Sequence, residues 1–147
     1  LPNVLPFEAI PDTVAAGEAR AGTAADLTVA PLVPTSVSDD PAAARTAMAT
    51  HLASYLGPVE FYNDVVARHG YADEAETIRT AWEAGGREAA AEAVSDDLLD
   101  AVSIAGSPEH ARRRQAAILD GAADAVLLNV PASGSPKMVE STIDALG

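Results

Sequence analysis

Four side chains stand just past apolar runs, where a parallel α/β sheet presents groups to a ligand: Asn3, Thr35, Ser36 and Asn129. Carboxamides and hydroxyls in such places can hydrogen-bond the edge of a ring or a phosphate oxygen. They can equally satisfy the backbone of their own loops. Ser107 poses the same choice at a helix start, Gly106-Ser107-Pro108-Glu109. Its hydroxyl can cap an orphan N–H, Pro108 needs none, and Glu109 suits the positive end of the helix dipole. With Arg112, Arg113 and Arg114 one turn on, the same end could also hold an anion. The loop Ala132-Ser133-Gly134-Ser135, with Lys137 in the following turn, is either a second such anion site or an ordinary cap beside a solvated lysine.

Other candidate chemistry is thinner. Asp39-Asp40 and Asp96-Asp97 could serve as paired carboxylates for acid–base work. Both pairs precede helices, so capping is the better reading. His51, His69 and His110 lack metal-ligand spacing and read as packing or surface residues, so no metal is expected. Trp82 lies four residues from Ile78 on one helix face and reads as core. The chain has no Ser/His/Asp arrangement or phosphate loop of real specificity. No residue in it identifies itself as catalytic.

These groups need a scaffold, and 147 residues suffice for one domain with a core. The formal charge is −13, from 22 acids against 9 bases. That field repels phosphate backbones, so nucleic-acid binding is not expected. No apolar run approaches membrane-span length, and no segment reads as a secretory signal. Without Cys there is no disulfide framework, which suits a reducing cytoplasm. Lys137 is the sole Lys, while acids and Ala abound. Either a salt-adapted, halophilic source or the codon bias of a GC-rich genome gives this composition.

The chain in order alternates strands and helices. Leu1 to Pro6 reads as the tail of a strand. Glu8 to Ala21 is helical by spacing, starting in earnest at Pro11 and closed by Gly22. Residues 27–33 form a continuous apolar run, a strand buried on both faces, with a bulge or break expected at Pro31. Thr35 to Asp40 is a loop, and Asp40-Pro41 caps a helix. A helical block then fills about 41–100, with breaks at Gly57-Pro58, Gly70 and Gly85-Gly86, and Ser95 capping its last piece. Ser107 opens another helix, stopped by Gly121. Residues 125–130 are a second buried strand, and Pro136 to Leu146 is a final amphipathic helix.

An internal repeat supports this reading. Gly22, then Ala25-Asp26, a strand, Pro34, a Ser-containing loop and Asp40-Pro41 make one copy. Gly121, then Ala123-Asp124, a strand, Pro131, a Ser-containing loop and Ser135-Pro136 make another. Asn3-Val4 followed by Pro6 looks like the end of a third. Helix, turn, buried strand, loop, helix is the unit of a parallel α/β fold. Two strands and a stub cannot close a barrel of eight, so the expectation is part of a larger (β/α)8 barrel or a very small open sheet.

Four segments, in order, carry a resemblance: Pro34-Thr35-Ser36-Val37-Ser38-Asp39-Asp40-Pro41, Gly70-Tyr71-Ala72-Asp73-Glu74, Ala93-Val94-Ser95-Asp96-Asp97-Leu98-Leu99-Asp100 and Ile104-Ala105-Gly106-Ser107-Pro108-Glu109. Together they resemble the luciferase-like monooxygenase superfamily in its deazaflavin-dependent branch, near the 5,10-methylenetetrahydromethanopterin reductases. The resemblance implies the C-terminal portion of a (β/α)8 TIM barrel, with residues 1–147 one partial domain. A helical insertion would then separate its last two strands. It implies metal-free hydride transfer between reduced coenzyme F-420 (8-hydroxy-5-deazaflavin), or alternatively FMN, and the methylene group of a tetrahydropterin in one-carbon metabolism. It further implies that the N-terminal half of the barrel supplies much of the coenzyme site, so this chain alone would be inactive.

On that reading, strands 27–33 and 124–130 lie parallel and adjacent with an open edge. An open edge invites a homo-oligomer or the rest of the barrel. Two alternatives predict differently. A non-catalytic helical interaction module would have a closed core and no exposed strand edge. An unrelated barrel fragment binding a sugar phosphate would hold an anion at 133–137.

Overall fold

Helix starts are set locally in this chain. In the computed structural model, which describes residues 2–22, 27–132 and 134–147, Asp40 Oδ1 accepts the N–H groups of Ala42 and Ala43 at 3.1 and 3.2 Å. This opens α2 (Pro41–Leu56), after α1 (Ile10–Ala21). Ser95 caps α5 (Asp96–Val102), Ser107 caps α6 (Pro108–Gly121) and Ser135 caps α7 (Pro136–Leu146), each accepting an N–H three residues on. Between α2 and α5 lie α3 (Glu60–Val66), a π-helical turn at Ala67–Tyr71 and α4 (Ala72–Glu92). Gly70 and Gly86 sit at φ +100° and +69°, backbone that L side chains resist, and there the helical path kinks.

Three parallel strands follow the order β2-β1-β3: β1 is Leu32–Val37, β2 is Ile104–Gly106 and β3 is Leu127–Asn129. Thr35, Ser36 and Val37 pair with Ile104, Ala105 and Gly106. Leu32, Val33 and Pro34 pair with Leu127, Leu128 and Asn129. The two strands read from the sequence are thus parallel neighbours, as expected.

Their limits differ from expectation. The ladder starts at Leu32, directly after Pro31, which has no N–H to give it. It then runs through Thr35-Ser36-Val37, expected as loop. Tertiary partners make this possible: Thr35 donates its hydroxyl to the Val33 carbonyl at 2.8 Å, Ser36 to the Met138 sulfur at 2.9 Å, and the Val37 N–H goes to Thr142 Oγ1 at 3.1 Å. β2 was not foreseen; three residues between two helices carry no periodicity. The long helical block therefore connects β1 to β2, and only α6 separates the last two strands. Residues 2–6 form a turn rather than a strand tail, with the Leu5 N–H on the Pro2 carbonyl at 3.1 Å. Leu1 lies outside the described residues.

The order 2-1-3 has a consequence for the helices. The crossover from β1 to β2 and the return from β2 past β1 to β3 run in opposite directions, and right-handed crossovers of that kind place their helices on opposite faces. Two cores result. One joins Ala105 to Met48, Leu52 and Leu56 of α2, Val66, Ile78 and Leu98. The other joins Val33, Val37 and Ile104 to Ile10, Ala111, Ile118 and Leu146. From Val33 to Val37 β1 is buried on both faces, as a central parallel strand should be.

Three contacts hold the helical block. Asn63, 6% exposed, donates to the carbonyls of Leu56 and Ala75 at 3.0 and 2.7 Å, joining α2, α3 and α4. Arg45 grips Asp96 and Asp100, each at 2.7 Å, and ties α2 to α5; these hydrogen bonds raise its already high pKa, Asp100 most. Gly57 lies under Trp82, where a Cβ would stand 2.5 Å from the indole.

Candidate functional site

The carboxyl ends of parallel strands are the expected ligand side of this kind of sheet. The structure brings two of the five sequence-derived residues together, but on the other side, beside Leu32 at the amino-terminal end of β1. Asn3, from the N-terminal turn, and Asn129, at the end of β3, line one hollow of about 500 Å³. Its other walls are Pro2, Leu32, Tyr55, Phe61 and Tyr62. Leu32, Pro34 and Ser36 alternate onto one face of β1, the face that Asn129 shares through its pairing with Pro34.

The aromatic walls are organised. Tyr55 meets His51 and Tyr62 edge to face, with centroids 5.0 and 5.4 Å apart, and Tyr62 meets Phe61 at 5.3 Å. These residues come from the end of α2 and the start of α3, brought around by the Gly57-Pro58 break. Phe61 is 59% exposed and Leu32 44%, two of seven large apolar side chains exposed among the described residues. Asn3 Oδ1 is buried without a hydrogen-bond partner, and so is His51 Nε2. Burial alone pushes the His51 imidazole below its ordinary pKa. A planar heteroaromatic ligand with a ring N–H would satisfy the Asn3 oxygen and pack against the tyrosines, and the volume lies in the range of small-molecule sites.

The remaining three candidates stand elsewhere. Thr35 and Ser36 are fully buried in β1 with their hydroxyls engaged. Ser107 lies at the carboxyl end of β2, its oxygen on the His110 N–H at 3.2 Å. Ser133 lies outside the described residues. Lys137 is exposed in the first turn of α7. Asp40 and Asp96 serve a cap and an ion pair respectively. No group of three potential metal ligands occurs among the described residues. The aromatic wall escaped the sequence reading; Tyr55 and Phe61-Tyr62 flank a Gly-Pro break, which is the signal that could have found them.

A larger cavity, about 1000 Å³, lies against the second half of α6, α5 and the π-helical turn. Five carboxylates, Glu8, Asp12, Glu74, Asp97 and Asp100, line it with Tyr71, His69 and Arg114. The Tyr71 phenol is held above its usual pKa by burial first, then by Glu8, Asp97 and Glu74. Arg114 spans the cavity wall, its guanidinium over the Phe7 ring and its NH2 on the Asp100 carbonyl.

The chain thus combines a parallel α/β sheet with an aromatic and carboxamide hollow against the first half of β1. The model of the luciferase-like monooxygenase family matches residues 6–125, and the chain belongs to that family. It is 32% identical over 108 residues to a Mycobacterium tuberculosis protein named as a coenzyme F-420-dependent oxidoreductase, covering 70% of this chain and 30% of that protein. In structure it is similar to the coenzyme F-420-dependent tetrahydromethanopterin reductase of Methanopyrus kandleri. The TM-score is 0.70 at 26% identity, over 95% of this chain and 40% of that one. The chain thus spans less than half the length of either relative. No helix among the described residues is long and apolar enough to cross a membrane.

Proposed function

We propose that this chain is part of a coenzyme F-420-dependent oxidoreductase that transfers hydride between the reduced deazaflavin and the methylene group of a tetrahydropterin. The observation that carries the reading is the hollow formed by Asn3, Asn129, Tyr55, Phe61 and Tyr62, in a chain whose relatives are named for that coenzyme. The carbon carrier is of the methylenetetrahydromethanopterin or methylenetetrahydrofolate type, which places the protein in one-carbon metabolism. When bound, the coenzyme supplies the hydride. The chain supplies a surface that binds and orients a ring: an orphaned amide oxygen at Asn3, a second carboxamide at Asn129, and aromatic faces that exclude water.

On this reading residues 1–147 are one portion of a larger domain, although their strand order 2-1-3, with helices on both faces, is that of an open sheet and not of consecutive barrel strands. The outer edges of β2 and β3, unpaired among the described residues, are where further strands or a second copy would join. A Cys-free, strongly acidic composition suits a reducing, salt-rich cytoplasm.

Equilibrium dialysis against oxidised coenzyme F-420, in dilute buffer and in molar KCl, tests the reading, with FMN in a parallel cell. Binding of the deazaflavin that weakens in Asn3→Ala and Asn129→Ala is expected. A chain folded by circular dichroism that binds neither compound at either salt would leave family membership standing and remove the coenzyme site from this chain.

A further inference from the structure

We draw no further inference here: the strongest candidate, the cavity against α5, the second half of α6 and the π-helical turn, is a cluster of five carboxylates in which nothing points to a ligand, since the orphaned Nε of Arg114 in its wall belongs to a partly exposed side chain already held by the Phe7 ring and the Asp100 carbonyl.

Discussion

His51 shows how one residue's environment sets a measurable property. Its imidazole is partly buried beside Tyr55, Nε2 has no partner, and desolvation lowers its pKa. Above about pH 6.5 the ring is neutral in both folded and unfolded chains and has no differential effect. Below that, the unfolded chain takes up a proton that the folded chain resists, so stability contributed at this position is lost as pH falls. His51→Gln is therefore expected to lose less stability than the natural chain between about pH 7 and about pH 5 in urea titrations. Parallel losses in the two chains would remove His51 from the account. The many carboxylates titrate in both proteins and cancel in the comparison.

At the scale of elements, glycines that look alike in the sequence do different work. Gly57 ends α2 where the chain must pass under Trp82, and the limit is space, since its φ of −72° is ordinary. Gly17 lies inside α1 with nothing within 4 Å of an added Cβ. Gly57→Ala should cost about 1–3 kcal/mol through overpacking, while Gly17→Ala should gain up to about 1 kcal/mol of helix propensity. Urea midpoints of the two variants, one falling and one rising, check both values. A neutral Gly57→Ala would mean that the indole moves aside freely, and the turn that places Tyr55 against Tyr62 would then owe nothing to Trp82.

For the whole molecule, charge is the dominant long-range feature. With 22 acids against 9 bases, most carboxylates have no base to meet. The ion pairs that do form, such as Arg68 with Asp64 and Arg113 with Glu109, are largely exposed and contribute little. Self-repulsion therefore outweighs them, and it reaches about 30 Å at 0.01 M salt but only about 3 Å at 1 M. The melting temperature should rise steadily with KCl over that range. A flat or falling curve would show that attractive pairs dominate and would weaken the case for a salt-adapted source.

The sequence by itself determined what short-range chemistry determines. Asp40, Ser95, Ser107 and Ser135 cap helices because an oxygen and an N–H three residues apart need nothing else. Gly22, Gly70 and Gly86 interrupt helices because their backbone conformations exclude side chains, and the apolar run before Pro34 pairs with the one before Pro131. The four ordered segments also sufficed for the family. Only tertiary structure decided what depends on distant partners. Thr35-Ser36-Val37 reads as loop by composition, yet is strand because Met138 and Thr142, about a hundred residues on, receive its polar groups. β2 is too short to have a period and exists because β1 lies beside it. Asn3 and Asn129 each read as an isolated polar residue at a strand end. Their meeting across a wall of Tyr55, Phe61 and Tyr62 follows from the strand order, which no local interaction encodes.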